Sequence, residues 1–308
     1  RSARAASCQR CSEMHRRGSL LLLTASLLWG TTFVAQILGM EGLGPYTYAA
    51  ARFALGTLFM WALWYAYRGK RMTQKRAATF RSGFRAGIPI GFAMFVGVTL
   101  QQVALLYTTA GKTAFITTLY IVLVPLAAVL LGQRVRAAQW GGAVLAFAGV
   151  YFLSAHGETE LNTGDILVFI SSFFWMAQIL LIDRYASTVD VIELCLMQML
   201  VCTFGNTMLA AAYEPFAWSA VAGAAFPILY GGILSCGVAY TCQILGQAYV
   251  EPTQASILLS LEAVFAAVSG WIVLGETMSG IQLLGCALLL GGALIAQMRG
   301  TGKQQKFD

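Results

Sequence analysis

The chain has 308 residues, 58% of them apolar and 11% charged, with a formal net charge of +7 and a mean hydropathy of +0.70. Soluble domains carry about 25% charged residues, so a water-soluble globule is excluded. The charges fall in short runs between apolar stretches of about 20 residues, the layout of a polytopic membrane protein. The basic residues collect in a few loops, and no polar domain exists to shape a groove, so the charge reads as membrane topology and not as a nucleic-acid surface.

Residues 1–17 form a polar N-terminal segment that begins with Arg1, and Met14 reads as the natural start. From there MHRRGSLLLLTASLLWG has the basic lead and apolar stretch of a signal peptide. No small-residue cleavage site interrupts it, so it reads as a retained first helix. Cys8 and Cys11 form a lone C-x-x-C without a second pair, a poor zinc site. The other five cysteines lie in apolar stretches, where small polarizable side chains pack.

Apolar segments follow at about 18–38, 46–67, 84–106, 112–131, 137–154, 165–183, 191–212, 223–247, 253–274 and 280–297, each near the length of a spanning helix. The expected fold is therefore all-α with ten transmembrane helices. A barrel is excluded because the segments are apolar on every face. Lys and Arg crowd the second connection (Arg68, Lys70, Arg71, Lys75, Arg76, Arg81, Arg85) and recur at Arg134, Arg136, Arg184 and in the tail at Arg299, Lys303 and Lys306. The opposite loops carry Glu41, His156, Glu158, Glu160, Asp165, Glu214 and Glu276, with Lys112 the one basic residue. The basic loops share one side, so both termini are expected in the cytoplasm.

The chain also repeats itself. A shift of 146 places Trp29 on Trp175 and Arg52 on Gln198; a shift of 142 places Gln101 on Gln243 and Tyr107 on Tyr249; a shift of 143 places Leu131-Gly132-Gln133 on Leu274-Gly275-Glu276. Each half holds five spans, and five is odd, so the second copy enters the membrane upside down. The expected organisation is a first repeat at 18–154, a periplasmic linker at 155–164, an inverted second repeat at 165–298 and a cytoplasmic tail at 299–308. Inverted repeats build secondary transporters around a midplane site.

The stretches LLWGTTFVAQ, YAAARFALGTL, AGKTAFITTLYIVLVPLAAVLLGQR and TQASILLSLEAVFAAVSGWIVLGE resemble, in their order and duplication, the EamA-type branch of the drug/metabolite transporter superfamily. The resemblance runs from about Gly18 to Met298. It implies a ten-helix bundle in a prokaryotic cytoplasmic membrane that moves small organic metabolites, often amino acids or related compounds, commonly outward. Glu-Pro is frequent in the ninth span of such proteins, but here Ala263 follows Glu262, so a proline bend is missing there. Pro125 remains the candidate hinge in the fourth span.

Glu262 lies mid-span, where an ionised side chain costs at least about 2.5 kcal/mol. It can bind a proton or a substrate ammonium, or simply tie helices together as a protonated carboxyl. Arg52 lies six residues into its span; its stem can lift the guanidinium to the interface, and the alternative is pairing or gating against a substrate carboxylate or an acidic partner. Trp29, Thr32, Gln36, Gln101, Tyr120, Trp175, Gln178 and Gln243 complete the candidate substrate site, since polar groups in hydrocarbon need partners inside the bundle. The Gly-rich fifth and tenth spans read as scaffold.

The expected function is a secondary transporter, an exporter by alternating access with protons as candidate coupling ion. The expected partners are a small-molecule substrate and the bilayer; the expected state is a monomer or homodimer, with neither cofactor nor metal. The alternatives are a multidrug exporter of lipophilic cations and a membrane-embedded enzyme. The latter lacks support, because His15 and His156 lie outside the spans and no second intramembrane acid accompanies Glu262. No G-x-x-x-x-G-K-[ST] motif occurs, so the chain carries no signature of a primary pump.

Overall fold

The computed structural model describes residues 2–68, 76–108, 110–154, 162–275 and 278–297. Most of the basic second connection, His156 to Glu160, Glu276 and the tail lie outside the described residues, as do the side chains of Cys8, Cys11 and Lys112. Every regular element among the described residues is helical: α1 (Ser2–Met40), α2 (Pro45–Arg68), α3 (Arg76–Ala104), α4 (Ala110–Thr117), α5 (Tyr120–Leu130), α6 (Ala137–Ser154), α7 (Thr163–Tyr185), α8 (Val191–Tyr213), α9 (Trp218–Gly223), α10 (Ala225–Leu229), a π-helical segment (Tyr230–Ala239), α11 (Tyr240–Gln247), α12 (Pro252–Leu259), α13 (Glu262–Leu274) and α14 (Gly280–Gln297). Helix α1 runs back through the polar segment expected to precede it, whose Ala, Arg and Glu residues favour helix and contain neither Pro nor Gly before Gly18.

Among the described residues, seven stretches are long and apolar enough to cross a membrane: Ser12–Met40, Arg85–Ala104, Thr163–Tyr185, Val191–Tyr213, Ala225–Gln247, Pro252–Val273 and Gly280–Gln297. Tyr120–Leu130 and Ala137–Leu153 are shorter apolar helices. The bundle is apolar outside and buries polar side chains among an apolar core. Leu58, Phe92, Leu130, Val144, Phe204 and Leu294 are exposed, while Ser26, Gln102, Gln178, Asn206, Gln243 and Gln254 are buried. Hydrocarbon around the protein rewards that arrangement, because buried amides find partners only in the bundle.

Small residues set the helix crossings. Helix α6 packs against α14, and a Cβ on Gly149 would fall 2.5 Å from Leu289 N and 2.7 Å from Gly285 O, while one on Gly292 would fall 2.6 Å from Gly142 O. The crossing is reciprocal: Gly142 meets Gly292 as Gly149 meets Gly285. Gly91 likewise brings α3 onto Gln198 and Val201 of α8. Without a hydrophobic drive between helices in lipid, such close backbone approach provides the packing.

Two expected spans are broken at matching positions. The fourth is interrupted at Thr118–Leu119, where Leu119, Ile121 and Val122 donate to Ile116, Thr118 and Leu119 in the shorter i→i+3 pattern. The ninth is interrupted at Ser260–Leu261, where Leu261, Ala263 and Val264 donate to Leu258, Ser260 and Leu261. At each break a hydroxyl bonds back into the preceding turn, Thr118 Oγ1 to Ala114 O and Ser260 Oγ to Ile257 O, which competes with regular helix. The irregularity thus lies before Pro125, which sits inside α5, and the ninth span breaks without any proline. Both spans end alike, on Gly132 with φ 80° and Gly275 with φ 69°. The left-handed backbone that stops each helix explains the repeated Leu-Gly dipeptide.

The connections meet in two groups. At one end His15 Nε2 lies 3.1 Å from Gln254 Oε1, whose amide donates to Ala296 O, and Arg136 Nη2 lies 3.1 Å from Glu251 Oε2. At the other end Glu214 accepts from Tyr46 N and Thr47 N at 2.9 and 2.7 Å, capping α2. There Thr108 Oγ1 also donates to Asp165 Oδ1 at 2.7 Å, and Asp165 forms a capping box with Asn162 at the start of α7.

Candidate functional site

The two helix breaks face each other across a cavity. Each exposes the first residue of its second half-helix: Tyr120 opens α5 and Glu262 opens α13. Those residues, 142 apart in number like Gln101 and Gln243, meet directly, with Tyr120 Oη donating to Glu262 Oε1 at 3.3 Å. Gly30 lets α1 approach here, since a Cβ on it would fall 2.6 Å from Glu262 O.

The cavity has a volume of about 50 Å³, room for three to five waters at about 10–15 Å³ each. Its polar wall contains Gln36, Arg52, Gln101, Thr117, Gln178, Ser235, Gln243 and Glu262; its aromatic wall contains Trp29, Phe33, Tyr120, Trp175 and Tyr240. Gln178 and Gln243 donate to each other at 3.1 and 3.0 Å, closing an amide pair. Gln101 Nε2 donates to Thr117 Oγ1 at 3.0 Å. The rings of Trp29 and Tyr240 lie 4.7 Å apart.

Arg52 is only 5% exposed. Reaching for the interface, the reading that its place near the start of the span favoured, is not what it does. Its guanidinium lies 5.5 Å and 5.0 Å from the ring centroids of Tyr48 and Phe53, and Nη2 reaches Gln102 Oε1 at 3.5 Å. The reason is local: the π segment presents Gly231 and Gly232 to this face of α2, leaving room for the Arg stem. Glu214 meanwhile caps α2 above it and occupies the end of the helix.

The structure gathers Trp29, Gln36, Arg52, Gln101, Tyr120, Trp175, Gln178, Gln243 and Glu262 around one cavity. Thr32 is buried beside it and spends its hydroxyl on Leu28 O at 2.5 Å, and Pro125 is buried in α5 away from the lining. Sequence reasoning missed Phe33, Thr117, Ser235 and Tyr240. Thr117 stands immediately before the Thr118 break, Ser235 lies within the wider π register, a feature frequent at functional sites, and Tyr240 opens α11 directly after it.

Comparison with known proteins points the same way. A model of the EamA-like transporter family matches residues 16–155 and 162–298. The chain is 30% identical over 282 residues to an uncharacterized transporter of Archaeoglobus fulgidus, covering 90% of this chain and 85% of that one. It is 27% identical over 290 residues to the threonine/homoserine exporter RhtA of Escherichia coli K12, covering 92% of this chain and 89% of that one. A solved crystal structure shares the fold with a TM-score of 0.75 at 20% identity, covering 91% of this chain and 96% of that one.

Proposed function

This chain belongs to the EamA-like transporter family, and we propose that it exports small polar metabolites, such as amino acids or related compounds, across a prokaryotic cytoplasmic membrane by alternating access. The observation that carries the reading is the polar cavity between the two broken helices, with Arg52 and Glu262 contributed by opposite halves of the chain. A cavity of that composition inside an apolar shell gives a polar solute a favourable resting place in the crossing.

Ten crossings in two inverted repeats form the architecture of this reading, with both termini in the cytoplasm. Its support is the company each connection keeps. His15 before the first span, Arg136 between the fourth and fifth, and Glu251 between the eighth and ninth occupy one end; Tyr46, Thr108, Asp165 and Glu214, all after odd-numbered spans, pair at the other. The matching breaks, the matching left-handed glycines and the reciprocal α6–α14 crossing agree with a two-fold relation. The broken helices supply the moving parts and the glycine crossing the fixed one.

Glu262 is the proton-coupling residue in this account. Its carboxylate contacts Tyr120 of the opposite half, so gain or loss of a proton changes a contact between the halves that must rock. The substrate class takes support from the threonine/homoserine exporter named above. The test is counterflow of radiolabelled threonine and homoserine in proteoliposomes: saturable exchange accelerated by internal substrate is expected, and linear flux without competition would overturn the proposal.

A further inference from the structure

Three N–H donors on side chains that line the cavity have nothing to receive them. Arg52 Nε, Trp29 Nε1 and Trp175 Nε1 are all buried without a hydrogen-bond partner, and all three side chains line the cavity from α1, α2 and α7. Arg52 also has no carboxylate beside it among the described residues; its contacts are one long hydrogen bond and two aromatic rings. Buried N–H groups are ordinarily satisfied, and a guanidinium cannot discard its proton to escape burial. Glu262, by contrast, can neutralise itself by taking up a proton.

We infer that Arg52, Trp29 and Trp175 form a receptor for a carboxylate, so that the transported solutes are small monocarboxylates and zwitterions and the corresponding neutral amides and amines are excluded. A carboxylate accepts several N–H bonds at once and supplies the negative charge that Arg52 lacks. A lipophilic cation would meet an uncompensated guanidinium, and an alcohol or amide would leave the charge unbalanced. Glu262, across the cavity on α13, receives the substrate's ammonium when there is one. The cavity's volume of about 50 Å³ confines the tightly held part of the solute to a few heavy atoms, the size of a carboxylate and its α-carbon. The inference rests on the transporter reading for its purpose, but the receptor has its own readout.

That readout is the set of indole N–H resonances of detergent-solubilised, ¹⁵N-tryptophan-labelled protein. The chain has seven tryptophans, and Trp29→Phe and Trp175→Phe assign two of the signals while keeping an aromatic wall. A pool of L-alanine, L-serine, L-lactate and propionate is expected to shift both, and the matching pool of carboxamides neither. Each Phe variant should weaken the acid pool about threefold to tenfold, and Arg52→Gln about tenfold or more. Arg52→Lys keeps the charge without the fork and should recover only part of the loss. Amides that shift the signals as far as acids, or acids that shift neither, overturn the receptor. Because no gradient is involved, acids that bind without being carried overturn the transport reading alone, and amides carried as fast as acids overturn the receptor alone.

Discussion

In the alternating-access proposal the ion pair between Arg136 and Glu251 acts at one end of the bundle only. Glu251 Oε2 also accepts from Gln139 Nε2 at 2.5 Å, and Gln139 Oε1 accepts from Arg136 N at 2.8 Å, so the cluster fastens the start of α6 to the start of α12. The cap has a counterpart 143 residues on, where Ser279 N donates to Gln282 Oε1 at 2.8 Å. The charges have none, since Ser279 and Thr109 stand where Arg136 and Glu251 would be repeated. Helix α12 is buried along its whole length. In a medium of dielectric about 20, charges 3.1 Å apart attract by about 5 kcal/mol. Both side chains are 33% exposed, and solvent screening and side-chain entropy reduce the net contribution to about 0.5–1 kcal/mol. Arg136→Gln should therefore raise the open fraction at this end about twofold to fivefold. Hydrogen exchange reports that ratio directly: the amides of Thr253–Leu259 should exchange faster by the same factor, those of α4 should not, and the exchanged pair Arg136→Glu with Glu251→Arg should restore most of the protection. Unchanged exchange in α12, or an equal acceleration in α4, would refute the one-sided latch.

Other consequences follow from the same geometry. Tyr120→Phe keeps the ring but removes the hydrogen bond to Glu262, so proton-driven accumulation in proteoliposomes should fall about threefold to tenfold, and the thermal midpoint should drop because the buried carboxyl loses that partner. Gln178→Leu leaves Gln243 unpaired and should destabilise the fold by about 1–3 kcal/mol, whereas Gln178→Leu with Gln243→Leu, which removes both partners, should be the more stable variant; a cycle of detergent-unfolding midpoints decides. Gly149→Ala places a Cβ against the backbone of Gly285 and Leu289 and should cost about 1–3 kcal/mol in the same assay.

Much of the site was legible because hydrocarbon makes polar residues conspicuous. Gln101, Gln178, Gln243 and Glu262 stand out in apolar segments, and their need for partners predicts an interior position before any coordinates exist. The pairing of Trp29 with Trp175 by sequence shift likewise anticipated two indoles at one cavity. What stayed hidden depends on local hydrogen bonding and on neighbours distant in the chain. Ser260 breaks the ninth span by bonding back to Ile257, a choice no proline announces. Ser235 lines the cavity from a ten-residue π segment, and Tyr240 from the helix that follows it. The position of Arg52 along α2 points toward the interface, but the glycines that admit its stem, Gly231 and Gly232, lie about 180 residues later.

The central claim is that Glu262 links a proton to solute movement, and the direct measurement compares wild type with Glu262→Gln in proteoliposomes at several imposed pH gradients, using a pooled metabolite set. The account predicts that the gradient drives accumulation in the wild type and that the variant exchanges solute but no longer accumulates it. Equal accumulation by both proteins, or mere equilibration at equal rates, would contradict it and return Glu262 to a packing role.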